Sequence, residues 1–197
     1  MISIETIVNK ILNSCSYLVH DTDTKKASLF DCGDTLPVID FLNSHHLELE
    51  SVFITHSHFD HIYGINEIIA AYPMVKVYCS ALTLEGMRNE KINLSYMHVD
   101  DFTYKGLENT IIINGTSNIT CLSRQLEIIE TPGHDMDCLS YILDDMLFSG
   151  DCFSYDFKVF VKWHRSNKEQ ALENEAKLAA LAKERNLRVY PGHIILK

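Results

Sequence analysis

The stretch His56-Ser57-His58-Phe59-Asp60-His61 puts four metal-capable side chains within six residues, directly after the apolar run Val52-Phe53-Ile54. An extended strand aims alternate side chains to one side, so His56 and His58 can face a common point. The chain then turns, and Asp60 and His61 address a second point beside the first. Neutral imidazoles and a carboxylate are the donors that a borderline divalent metal such as zinc takes.

Three further candidates sit just beyond apolar runs. His134 closes Thr131-Pro132-Gly133-His134, Asp151 closes Ser149-Gly150-Asp151, and His193 closes Pro191-Gly192-His193. Each repeats one device: an apolar strand, a glycine that lets the backbone turn tightly, then a metal-capable residue. Loops at strand ends are where a rigid scaffold presents functional groups together.

The elements that must position these residues read as strand-rich at first, then alternating. Residues 2–9, 14–20 and 27–31 pattern as short strands, broken at Asn13-Ser14 and by a polar turn over 21–26. A helix is expected over 35–43, with Asp34 or Thr35 as N-cap and Pro37 tolerated in its first turn. A buried strand over 52–55 leads into the histidine cluster, and 62–72 spaces Ile65, Ile68 and Ile69 helically before Pro73. A strand over 75–79 follows, and Ser80 can cap a short helix reaching about Asn89. Strands are expected at 110–113, 119–122, 126–130, 139–143 and 146–148, with Asp144-Asp145 as the turn of a hairpin. Residues 168–185 form the clearest amphipathic helix, and 188–190 a last strand. No repeat, low-complexity tract or linker interrupts residues 1–197, so a single domain is expected.

Composition places the chain among globular enzymes. It has 197 residues, 46% hydrophobic and 22% charged. Net charge is −10 and no Lys/Arg cluster is present. A nucleic-acid partner, which would need a basic stripe, is therefore not expected. An anionic substrate is not excluded, because a metal pair would bring positive charge to the site. No apolar run suggests a membrane partner or an export leader. The six cysteines are scattered without a C-x-x-C pair and read as reduced, buried thiols, so a cytoplasmic setting is expected.

The ordered set His56-x-His58-x-Asp60-His61, His134, Asp151, His193 resembles the metallo-β-lactamase-fold hydrolases, and among them hydroxyacylglutathione hydrolase (glyoxalase II) and its relatives. The likeness extends to Asn13, to Tyr17-Leu18-Val19 and to Phe30-Asp31-Cys32-Gly33, so it covers nearly the whole chain. It implies an α/β fold, a four-layer αββα sandwich with the site along one edge of two facing sheets. It implies two zinc ions: one on His56, His58 and His134, one on Asp60, His61 and His193, with Asp151 bridging. It implies hydrolysis of a small activated acyl compound, a thioester or lactone. Each metal keeps an open position, and a water between them, acidified from ~15.7 towards ~7, gives metal-bound hydroxide as nucleophile. The neighbouring metal stabilises the developing oxyanion. Asp60 is also the candidate to orient that nucleophile or accept its proton.

Departures from the resemblance narrow the substrate. Only Ile194, Ile195, Leu196 and Lys197 follow His193, where hydroxyacylglutathione hydrolases carry a helical domain that helps hold glutathione; this counts against glutathione thioesters. The insertion typical of the nuclease relatives is missing too. The alternative is an oxidoreductase similar to the persulfide dioxygenases, with one Fe2+ on His56, His134 and Asp151. A metal-binding protein without turnover is disfavoured, since structural zinc sites are closed.

Lesser candidates are weighed against plainer roles. Asp31 is as readily a carboxylate partner for a ligating histidine as a turn residue ahead of Gly33. Asp135 reads as a solvated turn carboxylate, Cys15 and Cys152 as small buried hydrophobes, and His45-His46 as a polar helix end. His20, His98 and His164 read as surface. The aromatic-rich segment 152–165 could wall a substrate, although composition favours core packing. Tyr96, Met97, Phe102 and Tyr104, in the irregular segment 88–109, suggest a loop over the site or a dimer contact. A homodimer stays open.

Overall fold

In a computed structural model of the chain, residues 1–99 and 102–195 are described; Asp100 and Asp101 of the irregular segment and tail residues 196 and 197 lie outside them. Six strands form one sheet in sequence order: β1 (Ile2–Val8), β2 (Cys15–Asp21), β3 (Lys26–Phe30), β4 (Glu48–Phe53), β5 (Lys76–Cys79) and β6 (Thr110–Ile112). The second sheet comprises β7 (Ile119–Cys121), β8 (Arg124–Glu130), β9 (Leu139–Leu143), β10 (Met146–Gly150) and β11 (Arg188–Pro191), with β11 beside β10. Pairing is antiparallel through the hairpins and parallel from β3 to β6 and between β10 and β11. Parallel neighbours need crossovers. These are the helices α1 (Thr35–His45), α2 (Ile65–Ala71), α3 (Ala81–Met87) and α4 (Lys168–Glu184).

The period-two alternation of each strand sorts its side chains into three apolar layers. Leu18, Leu29, Val52 and Ile54 pack with Val38, Leu42, Ile65 and Ile68 of the helices on the outer face of the first sheet. Their sequence neighbours Tyr17, Phe30 and Phe53 point the other way, into a layer shared with Ile128, Tyr141 and Phe148 of the second sheet. Ile129, Ile142 and Leu147 meet Leu178 and Ala182 of α4 on the far side. This is the expected four-layer αββα sandwich.

The middle layer is aromatic. Phe30 stacks on Phe148 with ring centroids 3.8 Å apart and on Phe53 at 5.1 Å. Two tyrosine hydroxyls stitch the sheets where function-bearing loops begin: Tyr141 donates to the Ile54 carbonyl and Tyr17 to the Pro191 carbonyl, each at 2.6 Å. A buried phenol needs such a partner, and here the partner lies two residues before His56 or His193.

The structure departs from the sequence expectation around residue 62. Residues Phe59–His61 form a 3₁₀ turn, and α2 starts only at Ile65. The Cys32 N–H donates to the His61 carbonyl at 2.7 Å and the Gly64 N–H to the Cys32 carbonyl at 3.0 Å. Backbone groups that a helix would use are thus engaged by the chain leaving β3. Helix α3, capped by Ser80 accepting from the Thr83 N–H as expected, ends at Met87 rather than Asn89.

Candidate metal centre

All seven candidate ligands lie where the ends of β4, β8, β10 and β11 converge. The first four follow β4. The Leu139 N–H donates to the Thr55 carbonyl at 2.7 Å, so the first sheet is bonded to the second immediately before His56. His134 follows β8 and Asp151 follows β10, where Gly150 adopts φ +49°, a conformation that disfavours any Cβ. His193 follows β11 and forms an isolated antiparallel bridge with Ser14, and the Cys15 N–H donates to the Gly192 carbonyl at 2.7 Å. Gly192 serves differently from the expected tight turn: a Cβ there would land on the Asp151 carboxylate. Space, not backbone freedom, requires it.

The polar atoms face one another at short range. His134 Nε2 is 3.0 Å from His58 Nδ1 and 3.2 Å from Asp151 Oδ2. His61 Nε2 is 3.3 Å from Asp151 Oδ1 and 3.4 Å from both Asp60 Oδ2 and His193 Nε2. His193 Nε2 lies 3.3 Å from Asp60 Oδ2 and 3.4 Å from Asp151 Oδ2. Donor atoms of His56, His58 and His134 all fall within 4.8 Å of one another, as do those of Asp60, His61 and His193, and those of His56, His61 and Asp151. Asp151 therefore lies between two triads.

Four of the five imidazoles are gripped from behind. His134 Nδ1 meets the Phe160 carbonyl at 2.8 Å and His193 Nδ1 the Leu12 carbonyl at 3.0 Å. A carbonyl can only accept, so both rings carry a proton on Nδ1 and turn Nε2 inward. His61 Nδ1 is held at 2.9 Å by Asp31 Oδ2. His56 Nδ1 lies 3.0 Å from the Thr55 hydroxyl oxygen, whose own proton goes to Asp31 Oδ2 at 2.8 Å. His58 is reversed, with Nδ1 inward and Nε2 3.3 Å from Asp135 Oδ2, off the line of a good hydrogen bond. Among the described residues, the inward His56 Nε2 and Asp151 Oδ1 have no hydrogen-bond partner. Buried polar atoms left this way are costly unless something binds them. Five imidazoles and two carboxylates with lone pairs converging on shared points fit divalent metal ions and leave room for further ligands.

The charges follow suit. Burial, reinforced by neighbouring imidazoles, holds His56 well below the usual imidazole range. Burial also depresses His61, but Asp60, Asp151 and Asp31 outweigh it and raise that ring well above the usual range. Burial opposes the shift of His193 likewise, and Asp151 together with Asp60 lifts it to about 10. Asp151, despite burial, is pulled well below the carboxylate range by His193, His61 and His134. Protons on His61 and His193 stand where metal charge would otherwise balance the carboxylates, and metal uptake displaces such protons.

A family model described as the metallo-beta-lactamase superfamily matches residues 11–193. The chain belongs to that superfamily. A hydroxyacylglutathione hydrolase from Pseudoalteromonas translucida is 29% identical over 164 residues, covering 80% of this chain and 56% of the relative, so the chain spans little more than half of that protein. Among solved structures, the BLEG-1 B3 metallo-beta-lactamase superposes with a TM-score of 0.82 at 21% identity, over 99% of this chain and 93% of that one. TTHA1623 in a di-iron-bound form gives 0.80 at 18% identity, over 97% and 92%. At such identities the structures speak for the metallo-beta-lactamase fold alone.

Several residues on this metallo-beta-lactamase scaffold sit elsewhere than their sequence context suggests. Asp135, expected to be solvated, is 1% exposed and pairs with Arg165 Nε at 2.8 Å. His20, expected at the surface, is buried against Phe41. His98 is exposed as expected, yet it stacks on Phe59 and lines the cavity beside the centre. That cavity has a volume of about 390 Å³. Segment 152–165 divides: Cys152 and Phe153 pack against α4, whereas Phe157, Phe160 and Trp163 line the cavity. Segment 88–109 divides too, with Met97 on the cavity, Tyr104 in the core beneath the helices, Phe102 half-buried against that core, and Tyr96 exposed. Cys15 is sealed between the sheets, and burial raises its thiol. Asp31 is a partner of His61 rather than a plain turn residue. Sequence reasoning missed Thr55, Arg165, Leu94 and the two carbonyl acceptors. No helix among the described residues is long and apolar enough to cross a membrane.

Proposed function

We propose that the protein is a metal-dependent hydrolase of a small activated acyl compound, a thioester or a lactone, working with two zinc ions. The observation that carries this reading is the set of back-gripped imidazoles whose inward nitrogens meet two carboxylates in one cavity. His56, His58 and His134 would hold one ion, Asp60, His61 and His193 the other, and Asp151 both. Bound zinc supplies Lewis-acid polarisation of a carbonyl and acidifies water from ~15.7 to ~7.

The chain does the rest. Asp31, Thr55 and the carbonyls of Leu12 and Phe160 fix ring tautomers, so no reorientation is needed during turnover. Asp60 lines the cavity and offers its carboxylate to orient the attacking water and take up its proton. The apolar cavity walls restrict competing water. The named relative's activity supports a hydrolase that splits an acyl bond.

A second reading is an oxidoreductase with one iron on His56, His134 and Asp151; a fold neighbour described in a di-iron-bound form supports iron as a metal for this fold, not the single-iron count. Metal analysis of protein purified without chelator separates the two. About two zinc ions per chain, with hydrolysis in a thioester and lactone screen, supports the hydrolase. One iron and no hydrolysis overturns it in favour of an oxidoreductase. His58→Ala should abolish hydrolysis and lower metal content, while His164→Ala, at an exposed site away from the cavity, should do neither; full activity in His58→Ala would remove the assignment.

A further inference from the structure

The cavity lining is sharply divided by chemistry. Its floor is the metal centre: His58, Asp60, His134, Asp151 and His193. Apart from these, only His98, Lys158 and the indole N–H of Trp163 bring polar side-chain groups among the described lining residues. Leu94 and Met97 contribute from the loop after α3, and Phe157, Phe160 and Trp163 from the segment after Asp151. Leu12 and Ile194, flanking the Ser14–His193 bridge in sequence, complete the wall. Phe160 and Trp163 lie with ring centroids 5.4 Å apart, and the Trp163 ring stands edge-on to His58 at 6.2 Å.

A second observation agrees. Leu12, Met97, Phe160 and Ile195 are all large apolar residues between 47% and 63% exposed, and all four border this one cavity. Scattered exposed hydrophobes are ordinary, but a cluster around a concave site marks a ligand surface. A substrate with several charged or amide groups would bury them here against hydrocarbon, with a single ammonium available.

We propose that this cavity selects substrates whose acyl part is a medium-length hydrocarbon chain, seated against Phe160 and Trp163 while the carbonyl lies at the metal centre. The proposal rests on the hydrolase reading and adds to it the class of acyl group. Lys158 accommodates at most one negative charge on the remainder of the molecule.

Trp163 is the only tryptophan in the chain, so its fluorescence reports this wall without background. The metal-loaded protein is titrated with butanoate, hexanoate and octanoate as product-like probes, and the Kd of each is read from Trp163. The expected result is tightening of about fourfold per added methylene. Phe160→Ala, which keeps the backbone carbonyl that holds His134, should flatten that dependence, and Met97→Ala provides an independent second variant. Equal Kd values across the series, or tighter binding of glutathione than of octanoate, would overturn the proposal. Because binding is read without turnover, chain-length selectivity with no hydrolysis of octanoyl thioesters or lactones would sink the hydrolase reading and leave the hydrocarbon pocket standing.

Discussion

Asp31 Oδ2 lies 2.9 Å from His61 Nδ1 and 2.8 Å from the Thr55 hydroxyl, which in turn accepts from His56. One carboxylate oxygen thus orients a histidine of each triad. Asp31 reaches this position through a left-handed backbone, φ +55°, which among residues with a side chain Asn and Asp adopt most readily. Asp31→Asn keeps the backbone and the size but removes the charge shared between the two rings. Metal affinity of this variant should fall 10–100-fold. Asp31→Ala should lose as much affinity and stability as well, because it also strips the acceptor from the Thr55 N–H. Equilibrium dialysis against a competing chelator, alongside thermal melts, checks both; unchanged affinity in Asp31→Asn would show that Asp31 is a folding residue only.

Asp151 stands 3.2–3.4 Å from His134, His61 and His193. A carboxylate between two ions contributes to the retention of each, so Asp151→Ala should release both metals and abolish most activity, whereas Asp60→Ala should spare the ion on His56, His58 and His134. Metal counts after gel filtration distinguish the outcomes. Two ions retained by Asp151→Ala would remove its bridging role. Chelation of the parent protein should lower Tm, and metal should restore it in proportion to the logarithm of its free concentration.

The candidate site was legible where chemistry is local in sequence. His56, His58, Asp60 and His61 are contiguous, and His134, Asp151 and His193 each follow an apolar strand and a glycine. The sandwich was expected through the family resemblance that these motifs carry; the strand and helix pattern by itself indicates the elements, not their layering, because β2 and β9 are buried along nearly their whole length. Asp135 reads in the sequence as a solvated turn carboxylate because its burial depends on Arg165, thirty residues away, folding back over it. Backbone acceptors such as the Phe160 and Leu12 carbonyls leave no trace in residue type. The start of α2 at Ile65 was missed because hydrogen bonds to Cys32, a tertiary neighbour, override helical spacing.

The Asp135–Arg165 pair yields a prediction of its own. Asp135 is almost fully enclosed, and although burial opposes it, the His58 contact and the Arg165 guanidinium hold its carboxyl at about 2. Removing one partner from a buried ion pair strands the other, at a cost of about 3–5 kcal/mol. Arg165→Ala should therefore destabilise the protein by about that amount, and Asp135→Asn in the same chain should recover part of the loss. Denaturant melts of the two single variants and the double variant test this; purely additive losses would mean the charges do not couple.

His20 is expected to give the fold a pH response away from the metal centre. Its ring is buried against Phe41, and among the described residues its Nδ1 has no hydrogen-bond partner. Burial, helped by the nearby His45, lowers its pKa below the usual ~6.5, while Glu5 and Asp21 pull the other way and Lys25 adds to the lowering. A lowered folded-state value means that the unfolded chain takes up the proton first as pH falls. His20 therefore costs no stability above ~6.5, and below that its contribution declines until the folded-state value is passed. Tm of the parent should drop more steeply between pH 7.5 and 5.5 than Tm of His20→Phe, whose ring meets Phe41 without a titrating group. The comparison is made in metal-loaded protein, so that titration of the ligands is common to both. Parallel Tm-against-pH lines for parent and variant would show that His20 takes no part in acid sensitivity.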